Sequence, residues 1–310
     1  MRGLRQSVVM MKCTVQNLEV PESLLGELTD SAPLLDIPPQ LRKRLAEEGY
    51  LFLRGVLDPR EVLAARREAL ERLVEVGEIR DPAIAGIATG ESRRAEVPEG
   101  LGPFWKSVSE GPALRQVSHG AKLRSIMQTV FGEPPRPQDY IFLRIAPVGR
   151  ATQLHYDHPF FARGSLRVHT VWIALGDVPV EEGPLTILEG SNRFTDLIEH
   201  ARAIDYNSKA SPRVAASVDP ITLARERETR LLTANFKAGD LIVFGMHTMH
   251  GSLDNCSPIG RVRVSCDVRY QPAADAIDER YFGPNPGGTT GAGYAELNGA
   301  KPLTQEWHTR

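Results

Sequence analysis

From Tyr140 onward the chain is cut into short apolar runs, each stopped by Gly, Pro or Asp, and this constrains the fold more than any other feature. The runs cover residues 140–145, 154–156, 167–175, 185–188, 241–244 and 261–270. They are short, regularly spaced and of strand length, with a polar stretch at 200–230 that reads as a long insertion or helical excursion. Such a pattern predicts a sandwich or jelly roll rather than βαβ units with a parallel sheet. The expected class is mainly β with α.

The N-terminal third reads differently. Residues 1–40 are mixed, end at Pro38-Pro39 and are expected to form an irregular leader. A short helix is predicted over 40–48, stopped by Gly49 and followed by a strand over 50–53. Asp58-Pro59-Arg60-Glu61 is a strong helix start, with an Asp cap, Pro in the first turn and Glu three after the cap. Val62, Leu63, Ala65, Ala69, Leu70, Leu73 and Val74 then recur at helical spacing up to Gly77. A third helix is predicted over 112–130, before Gly132-Glu133-Pro134-Pro135. The chain is therefore expected to form one domain over 1–310. In it, helical support at 40–135 covers a β core at 136–275, with an insertion near 200–230 and a C-terminal loop and tail at 276–310.

Composition excludes several classes of partner. The 310 residues carry 37 Lys+Arg against 39 Asp+Glu, a formal charge of −2. Nucleic acid or an anionic membrane as main partner would require a basic excess. Cys13, Cys256 and Cys266 make an odd count without C-x-x-C spacing, which fits a reducing cytosol and no disulfide framework. The apolar run Val8-Val9-Met10-Met11 is too short for a signal peptide, and no segment approaches the roughly 18 residues of a membrane span. A cytoplasmic protein with a small-molecule substrate is expected; the oligomeric state is left open.

Three pieces of sequence carry chemistry. His155 stands two residues before Asp157, and on a strand residues i and i+2 project from one face, so one nitrogen and one carboxylate can meet one ion. The run Gly239 to Phe244 leads through Gly245-Met246 to His247 and His250. Either histidine added to His155 and Asp157 completes a two-His, one-carboxylate facial triad, a set typical of non-haem Fe(II) oxygenases that leaves three positions open. Arg261 follows on the last predicted strand, and its planar fork suits the distal carboxylate of a dicarboxylate co-substrate. Arg263 shares its strand parity and is the other candidate.

In these residues the chain resembles the phytanoyl-CoA-dioxygenase-like family of Fe(II)/2-oxoglutarate oxygenases. The resemblance runs from about Gly49 to Gln271. It rests on Gly49-Tyr50, His155-Tyr156-Asp157, Val171-Trp172-Ile173-Ala174-Leu175, Glu182-Gly183-Pro184-Leu185 and Glu189-Gly190-Ser191, and closes with Gly239-Asp240, His250-Gly251-Ser252, Asn255 and Arg261. The family's usual Pro-Gly-Ser-His is here Glu189-Gly190-Ser191-Asn192, a departure at a turn. The resemblance implies a double-stranded β-helix (a cupin-like jelly roll) with helices packed on one sheet. It also implies iron held by His155, Asp157 and His250, with the Gly-Ser after His250 favouring it over His247. Arg261 and Ser252 would bind the far carboxylate of 2-oxoglutarate, with Trp172 beside it. Lys106 stands where some relatives place a co-substrate lysine. Gln153, on the strand face of His155, either reaches the co-substrate or ends the strand in solvent.

The implied cofactors are Fe(II), 2-oxoglutarate as co-substrate and O2. The implied reaction is hydroxylation of a small metabolite or natural-product intermediate with release of succinate and CO2. Asp157 favours that outcome, since related halogenases lack this carboxylate. Desaturation, epoxidation or cyclisation by the same centre remains open. So does a non-catalytic jelly-roll module binding a metal or another ligand, which would have no need of a carboxylate clamp.

Overall fold

The computed structural model describes residues 13–204 and 219–307. Two sheets form its frame. The larger has six strands: β4 (Tyr50–Leu53), β5 (Pro135–Pro137), β6 (Phe142–Ala146), β7 (His169–Ala174), β10 (Leu241–Gly245) and β12 (Arg263–Pro272), in the order β4-β10-β7-β12-β5, with β6 also on β12. The smaller has four: β3 (Leu25–Glu27), β8 (Leu185–Leu188), β9 (Leu231–Thr233) and β11 (His250–Ser252), in the order β11-β8-β9-β3. A hairpin of β1 (Thr14–Val15) and β2 (Leu18–Glu19) stands apart. The expected leader is thus partly ordered: β3 adds to the smaller sheet by pairing in parallel with β9.

Apolar side chains decide how the layers stack. Phe52, Trp172, Ile242 and Phe244 of the larger sheet join Leu185, Ile187 and Leu232 of the smaller in one buried cluster, so the two sheets face each other. The other face of the larger sheet gives Leu51, Leu53, Val171, Ile173, Leu241, Val243, Val264, Cys266 and Val268 to a core shared with helices. Those helices are α1 (Pro38–Glu48), α2 (Pro59–Glu75), α3 (Leu101–Ser109), α4 (Pro112–His119) and α5 (Ala121–Phe131). α2 starts as its sequence predicts, with the Asp58 carboxylate accepting from Arg60 N at 2.8 Å, and buries Val62, Ala65, Ala69, Leu70 and Leu73.

Two expectations are corrected here. The helix expected over 112–130 is two helices, because Gly120 is extended at ψ 167° and ends α4 while it opens α5. A Cβ there would lie 2.2 Å from Gln116 O, so only glycine allows the break. Residues 154–156 form no strand; His155 instead makes an isolated bridge to His250. α7 (Thr195–Ala203) and α8 (Pro220–Glu226) pack on the smaller sheet through Leu188 and Leu231, whereas α6 (His158–Phe161) gives Phe160 and Phe161 to the core of the larger sheet. The insertion expected near 200–230 takes in the end of α7 and all of α8, and 205–218 lie outside the described residues.

β12 aims the site. Val264, Cys266, Val268 and Tyr270 enter the helical core, while Arg263, Ser265, Asp267, Arg269 and Gln271 alternate with them on the face turned to the opposite sheet. All ten residues are buried.

Candidate metal centre and co-substrate pocket

His155, Asp157 and His250 offer ligand atoms that all lie within 4.8 Å of one another. The backbone brings them together: His155 N donates to His250 O at 2.9 Å and His250 N to His155 O at 3.0 Å. Gly251 lets the segments approach, since a Cβ on it would meet Thr152 O at 2.7 Å.

Each ring is oriented by its own chain. His155 Nδ1 is 2.8 Å from Gln153 O, and His250 Nδ1 is 3.0 Å from Thr248 O. A carbonyl only accepts, so both Nδ1 atoms carry the proton and both Nε2 lone pairs are free for a metal. Asp157 divides its oxygens. Oδ1 is 3.5 Å from His155 Nε2 and 3.9 Å from His250 Nε2. Oδ2 accepts from Thr170 Oγ1 at 2.6 Å and faces Arg269 Nη2 at 3.4 Å.

The charges agree with a cation site. Burial would raise the Asp157 carboxyl, but Arg269, His250 and His155 together hold it well below the ordinary carboxylate range. Burial, and then the charge of His155, push His250 down to about 4, so its imidazole is neutral and able to ligate near pH 7. The donor set fits a facially bound first-row divalent ion, with two neutral nitrogens and one carboxylate oxygen.

Beside this group a cavity is lined by Arg144, Thr152, His155, Trp172, Leu185, His250, Gly251, Ser252, Arg263 and Asp267. Arg263 is 1% exposed, and burial followed by the like charge of Arg144 lowers it to about 10. It donates from Nε to Gly183 O at 3.1 Å, from Nη1 to Ser265 Oγ at 2.6 Å and from Nη2 to Ser252 Oγ at 3.4 Å. Among the described residues no carboxylate lies within ion-pair distance of it; the charge of Asp267, on the same cavity wall, reaches it only from further away. Ser252 Oγ also accepts from Thr152 N at 2.8 Å. With two donors already on that oxygen, its own hydrogen is free for a ligand.

Arg261 lies elsewhere. Its Nε is 2.6 Å from Glu182 Oε1, and it is absent from the cavity wall. Asn255 fixes the turn before β12 by donating to Ala146 O at 2.9 Å and Arg261 O at 2.8 Å, so the strand proper begins two residues later. Trp172 and Ser252 line the cavity. Gln153 contributes its carbonyl to His155; its side chain is not part of the wall. Lys106 sits on α3 and donates to Pro284 O at 2.8 Å and Asn285 Oδ1 at 2.7 Å, away from the cavity. His247 stands outside the metal group, 3.2 Å from His158 Nδ1.

Sequence reading passed over Thr170, Asp267, Arg269 and Arg144. The last three form an alternating chain of charge with Asp157: Arg144 Nε meets Asp267 Oδ2 at 2.8 Å, and Arg269 lies 3.9 Å from that oxygen and 3.4 Å from Asp157. Arg269 is also held over the rings of Phe142 and Phe161, at 4.1 and 4.5 Å. The signal was present in the period-two polar residues of 263–271, which a solvent-facing strand would equally show.

Comparison with known proteins gives concordant matches. The family model described as phytanoyl-CoA dioxygenase (PhyH) matches residues 45–263. The 1-deoxypentalenic acid 11-beta-hydroxylase of Streptomyces arenae is 27% identical over 264 residues, covering 80% of this chain and 86% of that protein. The ectoine dioxygenase of Bordetella parapertussis is 24% identical over 246 residues, 77% of each chain. Among solved structures, EctD from S. alaskensis with 2-oxoglutarate and 5-hydroxyectoine superposes with a TM-score of 0.54 at 17% identity, covering 94% of this chain and 93% of that one. The epimerase SnoN in complex with Fe3+, alpha ketoglutarate and nogalamycin RO gives 0.53 at 21%, covering 78% and 86%. At these identities the two structures speak for the fold.

Proposed function

The chain belongs to the phytanoyl-CoA dioxygenase (PhyH) family, and we propose that it is an Fe(II)/2-oxoglutarate-dependent dioxygenase that hydroxylates a small metabolite or natural-product intermediate. The two facing sheets are then the halves of a double-stranded β-helix within a single domain. Free thiols at Cys13, Cys256 and Cys266 fit a reducing, cytoplasmic setting. No described helix is long and apolar enough to cross a membrane.

The observation that carries this reading is the pairing of a ligand cluster and a buried cation across one cavity. At one end stand two free Nε2 atoms and one carboxylate oxygen. At the other stands a buried arginine with no described carboxylate at ion-pair distance, beside a serine hydroxyl with a free proton. A dicarboxylate that chelates a metal at one end and ends in a second carboxylate satisfies both. His155, Asp157 and His250 would hold Fe(II), and Arg263 with Ser252 would hold the far carboxylate, with Trp172 forming the wall beside it.

Bound iron with 2-oxoglutarate supplies an oxidant from O2, with succinate and CO2 released. The protein's own residues set the geometry. The carbonyls of Gln153 and Thr248 fix both rings, and Thr170 and Arg269 keep Asp157 to one coordinating oxygen. The reading is tested by following succinate release from 2-oxoglutarate across a metabolite library. Iron-dependent release that rises with one compound class supports it, and no release with iron under any condition rejects it.

A further inference from the structure

The hairpin of β1 and β2 lies ahead of residues 45–263, which the family model matches, yet it touches both segments that carry the metal group. Its turn residues Gln16 and Asn17 have φ of 51° and 65°, the left-handed pair of a two-residue hairpin turn. Neither is glycine, so this backbone must be held in place by its surroundings. The Asp254 carboxylate holds it: Oδ1 accepts from Gln16 N at 3.0 Å and Oδ2 from Asn17 N at 2.8 Å. Asp254 N in turn donates to Thr14 O at 2.9 Å. Asp254 stands two residues after Ser252, so the turn is fixed to the segment that bears His250.

The side chain of Gln16 reaches the other segment. Its Oε1 accepts from Leu154 N at 3.2 Å. That N–H belongs to the same peptide plane as Gln153 O, the carbonyl that fixes His155 Nδ1 at 2.8 Å. A peptide plane is rigid, so its N–H and C=O can only turn together. Leu154 is buried with Val15, Met249 and Leu253, which seats the hairpin on this peptide. Such a tether matters here, because His155 meets His250 as an isolated bridge without a continuing ladder.

We propose that Gln16 is a positioning residue for the metal centre, orienting the His155 imidazole through the peptide between Gln153 and Leu154. This rests on the iron and 2-oxoglutarate reading above. Within the hairpin, Gln16 bonds to both segments, by its main-chain N on one side and its amide oxygen on the other. The N-terminal hairpin thereby sets metal affinity rather than the fold.

The test compares Gln16→Met, which keeps the length of the side chain and removes its acceptor, with Gln16→Glu, which restores an oxygen. The full chain is read by anaerobic Fe(II) affinity with 2-oxoglutarate present, by the ring nitrogen resonances of His155 without metal, and by the urea midpoint. Gln16→Met should weaken iron binding several-fold and replace the single Nδ1-protonated tautomer by a mixture, at a urea midpoint close to the parent's. Gln16→Glu should recover most of the affinity and the single tautomer. Full iron affinity with an unchanged tautomer in Gln16→Met overturns the proposal and leaves the iron reading intact. So does a loss of affinity that merely follows a lower urea midpoint and that Gln16→Glu does not recover. A parent protein that binds no Fe(II) with 2-oxoglutarate removes both.

Discussion

His155 and His250 exchange both of their main-chain hydrogen bonds, at 2.9 and 3.0 Å, so two of the proposed iron ligands are one antiparallel residue pair. Residues paired in this way hold their Cα atoms about 5.5 Å apart. The separation of the two imidazoles is therefore set by backbone, and only the carboxylate has to be brought in by side-chain contacts.

Gly251→Ala should loosen that pair. Its Cβ would meet backbone at Thr152 and Gln153 rather than a yielding side chain. The expected cost is about 1–3 kcal/mol of stability, with weakened metal binding. Chemical denaturation and iron titration of the variant check both, and native behaviour in each would show that the approach is not tight.

Thr170→Val removes the short hydrogen bond to Asp157 Oδ2 while keeping the side chain's shape. Iron affinity should fall about 10- to 100-fold, the usual effect of losing a partner behind a metal ligand. Titration under anaerobic conditions measures it. An unchanged affinity would mean that Arg269 alone orients the carboxylate.

Arg263→Ala should raise the 2-oxoglutarate requirement strongly, because losing a buried, charged partner costs about 2–5 kcal/mol. Arg263→Lys should recover part of it, since an ammonium lacks the planar fork. Arg261→Ala should leave 2-oxoglutarate binding near wild type and act on stability through the freed Glu182. Calorimetric titration of the three variants decides between the arginines, and loss of binding in Arg261→Ala alone would reverse the assignment.

Acid stability carries a separate signature at His119, remote from the metal group. Its Nδ1 meets Ser118 Oγ at 2.8 Å and its Nε2 meets Arg115 Nη1 at 3.0 Å. Burial, then the charge of Arg115, lowers it to about 4 from an ordinary 6.5. Between those values the unfolded chain binds the extra proton, so stability rises with pH there. The contribution is complete above about pH 6.5 and lost as pH falls through about 4. His119→Asn should show a shallower loss of urea midpoint between about pH 7 and about pH 5 than the parent. Parallel slopes would place the acid sensitivity elsewhere.

What could be read in the sequence divides along physical lines. The strands at 185–188 and 241–244 were legible because their burial is local to the pattern, and His155-x-Asp157 was legible because its spacing is chemical. The different placement of Arg261 and Arg263 was not. Both have the same parity, and the difference arises where Asn255 pins the preceding turn and Glu182 captures Arg261, contacts that span more than a hundred residues of fold for Ala146 and nearly eighty for Glu182. The strand expected at 154–156 failed for a related reason: His155 bridges to His250 alone, without a continuing ladder. β3 and β9 escaped notice because three-residue strands carry too short an alternation to register.

The central claim is that His155, Asp157 and His250 hold an iron whose open positions accept 2-oxoglutarate. Anaerobic addition of Fe(II) and 2-oxoglutarate to the protein, read by visible absorption, tests it most directly. The wild type and His247→Ala should develop the weak charge-transfer band of a chelated keto acid, because a facial triad leaves three positions and the keto acid fills two. His250→Ala should not. A band of full intensity in His250→Ala, or none in the wild type with iron bound, would contradict the claim.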